Sequence, residues 1–113
     1  MLLVKTRVDK SSIHGVGLFA CEPIAKGTQI WEMHALIDIA MEPADLEQLP
    51  EPALSLIKRL AYFDKSSNKY ILSADGAQYM NHADKPNIRD DVAVRDIAAG
   101  EELTENYAYE YDL

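Results

Sequence analysis

The stretch NHADKPN, residues 81–87, is polar but lies in the middle of a small chain, between segments with ordinary strand patterning. Its two asparagines and one histidine offer amide donors, carbonyl acceptors and a ring that can do either. Pro86 fixes its own φ and favours extended backbone at Lys85. These groups suit the binding of a polar small molecule. On loop chemistry alone, a solvated turn rich in Asn, Asp and Pro is the commoner explanation.

Two further motifs stand in order on either side of this loop. Gly15-Val16-Gly17 lies near the start, and GEELTENY, residues 100–107, lies near the end. A lone Gly-x-Gly is weak evidence, whereas three motifs in order are strong. Together with the linking stretch VAVRDIAA, residues 92–99, they resemble the SET-domain family of protein-lysine methyltransferases. The resemblance covers nearly the whole chain.

This resemblance implies a mainly β fold with short helices, the SET-domain or β-clip fold of short-stranded sheets. It also implies a C-terminal pseudoknot, in which the end of the chain passes through a loop formed by the preceding chain. Such a pseudoknot would bring Asn81 and Tyr107 together. General connection rules would not predict it, because threaded chains are rare.

The length of 113 residues fits one domain, 1–113, and we place a variable insert at about 42–72. The apolar fraction of 48% is ordinary for a soluble protein, and no apolar run approaches the ~18 residues of a membrane span. The N-terminus lacks the pattern of a secretory signal. We therefore expect an intracellular, cytoplasmic protein, or a nuclear one if its origin is eukaryotic or viral.

Cysteine and charge content narrow the function further. The single cysteine, Cys21, excludes an internal disulfide framework and a structural zinc cluster, and we interpret it as a small buried residue. Nineteen acidic against eleven basic residues give a net charge of -8. This charge argues against direct nucleic-acid binding and accommodates a basic partner more easily. The alternative is that an acidic surface only keeps a small protein soluble.

The remaining patterning predicts short strands with little helix. An apolar stripe on the second predicted helix, which includes Leu56 and Leu60, is expected to pack in the core. The predicted strands are Leu2–Val8, Leu18–Cys21, Ile30–Met33 and His34–Met41, and a hairpin is predicted around residues 64–68. The predicted helices are Pro43–Leu49 and Glu51–Leu60.

A short repeat is also present. The segments IAKGTQI, residues 24–30, and IAAGEEL, residues 97–103, share the pattern Ile-Ala-x-Gly-x-x-aliphatic. We expect the same turn geometry in both, as convergent turn chemistry rather than a duplicated unit.

The family resemblance implies S-adenosylmethionine as methyl donor, S-adenosylhomocysteine as product, and a lysine side chain as acceptor. Carried over by position, the backbone of His14, Gly15, Val16 and Gly17 would line the methionine part of the donor, as would the side chain of Asn81. His82 would bind the adenine end through backbone groups, with its ring tying the loop to the C-terminal segment.

Tyr107 is the catalytic residue implied by the resemblance, with its hydroxyl beside the transferring methyl and beside the cofactor. Its role would be orientation and electrostatics, because a phenol with an ordinary pKa of about 10 is mostly protonated at neutral pH. The acceptor must be a neutral amine, yet a free lysine has a pKa near ~10.4, so the site must remove a proton and water.

A narrow channel can meet this demand by excluding solvent around the amine. We assign Glu105, Tyr109 and Tyr111 to its walls. Many family members have an aromatic residue at the position of Glu105, so the number of methyl groups transferred is left open. Because few residues follow Tyr107, we also expect a second protomer or the substrate to complete the enclosure, and we predict a homodimer.

Two rival functions were considered. A metal site or hydrolase using His14, His34 and His82 matches no ligand spacing, and isolated histidines are usually structural. A catalytically silent SET-type module that binds a basic peptide is the stronger rival, but the presence of Tyr107, Asn81 and His82 together argues against it. The sequence therefore predicts a methyltransferase without a metal, acting on a lysine in a basic protein such as a histone or histone-like tail.

Overall fold

The computed structural model describes residues 1–107, which form a mainly β chain with short helices. In chain order the strands are β1 Thr6–Lys10, β2 Val16–Ala20, β3 Asp38–Met41, β4 Tyr62–Asp64, β5 Lys69–Ser73, β6 Asn81–His82, β7 Ile88–Arg89, β8 Val92–Ala93 and β9 Glu102–Glu105. The helices are α1 Pro43–Leu46, α2 Glu51–Leu60 and a 3₁₀ helix at Gly76–Tyr79. None of the described helices is long and apolar enough to span a membrane.

The sheet that carries the three motifs has the strand order β1-β2-β9-β6. Strand β9 runs antiparallel to β2, with Leu18 opposite Leu103, and parallel to β6, with Asn81 opposite Thr104. The C-terminal strand therefore lies between the Gly-x-Gly strand and the strand that opens the polar loop. The predicted mainly β class of fold is confirmed.

The core lies under this sheet. Leu18 and Leu103 are fully buried as neighbours on β2 and β9, and Ile30, Ile88 and Ile97 join them with at most 1% of their surface exposed. Burying side chains of this size stabilises by roughly 1.5–3 kcal/mol each. The strands that present the motifs are thus held by the best-packed part of the molecule.

The second sheet has the order β3-β5-β4, and α1 and α2 lie between β3 and β4 in the chain. The predicted helix Glu51–Leu60 and the hairpin after it are confirmed. Helix α1 ends at Leu46, earlier than predicted, and the apolar stripe of α2 is not in the core. No residue of α2 is buried among the described residues, and Leu56 is 43% exposed. Leu60 instead lines two cavities together with Tyr62, so this end of the apolar stripe faces open space and not the core.

One predicted strand is absent from the structure, and two others begin later than predicted. Trp31 forms only an isolated bridge to Leu2, so the strand expected from Ile30 to Met33 is wrong. The run from His34 becomes a strand only at Asp38, because the Asp38 carboxylate accepts the backbone N–H of His34 at 2.8 Å. That contact closes a turn over the first four residues of the run. Strand β1 likewise begins at Thr6 rather than Leu2.

The two related turns do have the same geometry. Gly27 and Gly100 have φ of 88° and 87°. In each turn the residue after the glycine donates its N–H to a carbonyl three residues earlier, at 3.1 Å. Only glycine adopts this left-handed region readily. Ile24 and Ile97 pair across the two turns, so the two segments pack against each other.

Asp38 is a buried carboxylate that accepts several hydrogen bonds in its charged form. Burial alone would raise its pKa, but hydrogen bonds from the terminal ammonium of Met1, the Ser73 hydroxyl and the His34 N–H hold the pKa below its ordinary 3.8. Stabilisation from a lowered pKa is present above the ordinary value and lost as the pH falls through the folded value. We expect Asp38→Asn to cost about 3 kcal/mol at neutral pH.

Urea unfolding at pH values from neutral down through 3.8 measures this. The free energy of unfolding of the wild type should fall toward that of Asp38→Asn as the pH decreases. Glu47→Gln, a change at an exposed carboxylate, should follow the wild type. Parallel curves for wild type and Asp38→Asn would show that Asp38 does not set the acid limit.

Candidate functional site

Asn81, at the start of β6, is the centre of the site. Its side-chain Nδ2 donates to the carbonyl oxygens of His14 and Val16 at 3.1 and 3.0 Å, to Glu102 Oε2 at 2.9 Å and to Ser11 Oγ at 3.1 Å. Carbonyl and carboxylate oxygens only accept hydrogen bonds, so the nitrogen must face them. The amide oxygen Oδ1 is therefore held on the opposite side.

Glu102, on β9, is a site residue that the sequence analysis did not assign. The Ser11 hydroxyl lies 2.8 and 2.9 Å from its two carboxylate oxygens. Ser11 also accepts the backbone N–H of Ile13 at 2.9 Å. Glu102 thus connects the loop before Gly15 to Asn81. The only sequence signal for it was its place in the closing motif, because its partners come from residues far away in the chain.

The two glycines of the first motif are needed for different reasons. Gly15 has a φ of 49°, which is unfavourable for other residues, and its side-chain space is open. Gly17 has no such φ, but a Cβ there would lie 2.4 Å from Glu102 Oε2 and 3.1 Å from Asn81 Nδ2. Gly17 therefore allows close approach of the backbone to these two side chains.

His82 connects the polar loop to the C-terminal segment. Its Nδ1 accepts the backbone N–H of Tyr107 at 3.2 Å, and the two rings lie 5.2 Å apart in a tilted arrangement. Because Nδ1 accepts, Nε2 carries the proton in the neutral ring, and it lies 3.2 Å from Asp84 Oδ1. The histidine ring thus fixes where Tyr107 enters the site.

The Tyr107 hydroxyl donates to the carbonyl oxygen of Met80 at 2.7 Å. Met80 is the residue directly before Asn81. Tyr107 and Glu105 also line a cavity of about 250 Å³ next to Tyr62. A smaller cavity of about 50 Å³ shares Glu105 and Tyr62 and continues toward Trp31. The structure therefore places Glu105 and Tyr107 at one cavity. The expected channel residues Tyr109 and Tyr111 lie outside the described residues.

Asn87, the last residue of the polar stretch, is 1% exposed and serves the fold rather than the cavity. Its Oδ1 accepts the N–H of Thr104 at 2.8 Å, and its Nδ2 donates to the carbonyl of Glu102 at 2.8 Å and to Glu101 Oε2 at 3.0 Å. These bonds attach the end of the polar loop to β9. Asn87 thereby sets the register in which Asn81 meets the closing motif.

The predicted site residues fall into two groups, one around the Asn81 side chain and one around Tyr107. The backbone of His14, Val16 and Gly17 meets Asn81 in the first group; the second contains His82, Glu105 and Tyr107. His34 is elsewhere, where its Nδ1 accepts the N–H of Leu36 within a turn. Within residues 1–107 no group of three or more His, Cys, Asp or Glu side chains could hold a metal ion.

The SET domain family model matches residues 15–108. The match spans most of the chain, and the chain belongs to the SET-domain family. This membership supports its assignment as a protein methyltransferase. A search of curated protein sequences gave no match.

Two solved structures share the fold. One is a Plasmodium falciparum protein assigned provisionally as a histone methyltransferase, with a TM-score of 0.68, 21% identity, and coverage of 99% of this chain and 100% of that chain. The other is a humanized mutant of the Chaetomium thermophilum Polycomb Repressive Complex 2 bound to an inhibitor, with a TM-score of 0.65, 23% identity, and coverage of 97% of this chain and 16% of that chain. At these identities the likeness establishes the fold alone.

Proposed function

We propose that this chain is an S-adenosylmethionine-dependent protein-lysine N-methyltransferase that acts on a lysine of a basic protein or peptide, such as a histone tail. One observation carries the proposal. The Tyr107 hydroxyl donates to the carbonyl of Met80, the residue directly before Asn81, and the Asn81 amide is oriented by the carbonyls of His14 and Val16. A cation-binding group and a polarising group are thus close to each other.

The residues present fit the methionine end of S-adenosylmethionine. The amide oxygen of Asn81, directed away from the carbonyls of His14 and Val16 and from the Glu102 carboxylate, is an acceptor, as an ammonium group requires. Gly17 adds no side chain beside the Asn81 amide. When bound, this cofactor supplies an electrophilic methyl group on a sulfonium sulfur.

The cavity at Tyr107 fits the lysine. Its volume of about 250 Å³ and its wall of Leu60, Tyr62 and Met80 can strip water from an amine. Glu105 lines the same cavity, and its carboxylate would accept a hydrogen bond from the amine. The Tyr107 hydroxyl donates to the carbonyl of Met80, and its oxygen would polarise the methyl group of the bound donor.

The proposal also includes a homodimer and an intracellular, cytoplasmic location, or a nuclear one in a eukaryotic or viral setting. The net charge of -8 supports a basic protein partner. Sedimentation velocity over a range of concentrations tests the dimer, and a single species with the mass of one chain would exclude it.

Donor binding is tested with Asn81→Ala. Hydrogen bonds to charged groups contribute roughly 1.5–3 kcal/mol, so the variant should bind S-adenosylmethionine about 10- to 150-fold more weakly. Val16→Ala is the matched control, because Val16 offers only its backbone carbonyl to the site and should bind as the wild type does. Unchanged affinity of Asn81→Ala in isothermal titration calorimetry would remove Asn81 from the donor site.

Methyl transfer is tested by incubating the protein with labelled donor and a mixture of basic proteins. Label recovered as methyllysine is the expected result. Donor binding without any transfer would instead favour the catalytically silent, peptide-binding module.

A further inference from the structure

We propose that Glu102 is a positioning residue of the donor site and the negative charge that selects a donor with an amino group. This inference rests on the function proposed above. The sequence motifs draw attention to Tyr107 and Asn81. In the structure, Glu102 lies at the junction between residues 11–17, which we call the glycine loop, and the polar loop at residues 81–87.

The first step is the hydrogen-bond chain through Glu102. On one side the Ser11 hydroxyl lies 2.8 and 2.9 Å from its carboxylate oxygens, and Ser11 N–H donates to the carbonyl of Gly15 at 2.9 Å. On the other side Asn81 Nδ2 donates to Glu102 Oε2 at 2.9 Å. One carboxylate therefore sets the position of the glycine loop relative to Asn81.

The second step is the orientation of the Asn81 amide. A side-chain amide can rotate by 180° at little cost when both ends meet neutral groups that donate and accept. Here the nitrogen faces two carbonyls and a carboxylate, none of which can donate once Glu102 is ionised. The reversed amide would place Oδ1 against three acceptors. Glu102 thereby keeps Oδ1 directed away from them, as an acceptor for the donor's ammonium.

The third step is charge. The described partners of the carboxylate, Ser11 and Asn81, are neutral, and no described lysine or arginine forms an ion pair with it within residues 1–107. The half-buried carboxylate is thus a negative charge without a cationic partner beside the glycine loop. Gly17 closes the space directly beside Oε2, because a Cβ there would meet it at 2.4 Å. The charge therefore acts on a ligand from the far side of the Asn81 amide, where an ammonium group at Oδ1 would be attracted to it.

The experiment compares two ligands by calorimetry: S-adenosylhomocysteine and its analogue without the amino group. The wild type should prefer the amine-bearing ligand. Glu102→Gln, which keeps size but removes charge, should reduce that preference by roughly 10-fold, with nearly unchanged affinity for the analogue. Glu101→Gln is the matched control, because its carboxylate contacts Arg95 and Asn87 instead and its variant should keep the preference.

Equal losses for both ligands would show a merely structural role and overturn the inference, as would an intact preference. If the wild type binds neither ligand, the donor assignment fails, and the inference fails with it. If Glu102→Gln does not fold, the salt dependence of the wild type decides. The preference should shrink between low and high salt because exposed charge interactions are screened, and a preference independent of salt would overturn the inference.

Discussion

Replacing Tyr107 by phenylalanine should lower the rate of methyl transfer about 100-fold, the size of effect seen when one preorganised polar group is removed from a reacting centre. Donor affinity should change little. The hydroxyl donates to Met80 at 2.7 Å, and that bond fixes where its oxygen lies in the cavity shared with Glu105. Phenylalanine keeps the ring and its packing against His82 but removes this oxygen.

Single-turnover rates at saturating donor measure this effect separately from binding. Tyr70→Phe is the matched control, because it removes a hydroxyl from the second sheet, where the Tyr70 ring packs against Phe63, and leaves the bond to Met80 intact. Its rate should stay within a few-fold of the wild type. Equal rates for wild type and Tyr107→Phe would remove the hydroxyl from the mechanism and leave Tyr107 as a packing residue.

The features predicted from sequence were those with a local cause. The left-handed backbone of a turn glycine, with φ near 88°, depends on only a few consecutive residues. The same geometry could therefore be predicted for the turns at Gly27 and Gly100. Helix α2 likewise followed from its own apolar spacing and its early proline. The three ordered motifs indicated the family, and the family in turn implied the fold.

The features that were missed depend on distant partners. The strand expected from His34 begins four residues late because Asp38 turns back to accept the His34 N–H, and nothing in the local pattern shows which carboxylate will be buried. The role of Glu102 could not be predicted, because the sequence does not reveal that Ser11 and Asn81, 91 and 21 residues away, converge on it.

The apolar stripe of α2 shows a different limit. Periodicity identifies a face that avoids water but not what covers it. Leu60 faces a cavity rather than a filled core, beside the same Tyr62 that lines the proposed lysine cavity. An amphipathic pattern therefore predicted the helix correctly and its burial wrongly.

Asn87→Ala should be the most destabilising single change in the polar loop. The alanine would leave the N–H of Thr104, the carbonyl of Glu102 and a carboxylate oxygen of Glu101 without the side-chain partner they have at 2.8 to 3.0 Å. Each buried group left without a partner costs about 1–3 kcal/mol, so the total loss should be about 3–5 kcal/mol. That is a large part of the roughly 5–15 kcal/mol that stabilises a typical domain.

Urea unfolding of Asn87→Ala measures this loss. Gln48→Ala removes an exposed amide and should change the free energy of unfolding by less than about 0.5 kcal/mol. Asn87→Asp separates shape from hydrogen bonding, because a carboxylate can accept from Thr104 but cannot donate to the carbonyl of Glu102, and it adds a like charge beside Glu101. It should therefore be destabilised as well.

The hydrogen bonds from the Asn87 side chain to residues 101, 102 and 104, which we call the Asn87 clamp, also set the register of β9. In this register Thr104 lies opposite Asn81, and Glu105 lies opposite His82. A shift of one residue would turn Leu103 out of the core and Glu102 away from Asn81. Any Asn87→Ala protein that still folds should consequently bind S-adenosylmethionine weakly, although the side-chain hydrogen bonds of Asn87 within residues 1–107 go to residues 101–104. Full stability together with full donor affinity in this variant would mean that packing of Leu103 against Leu18 is enough to hold the register without the clamp.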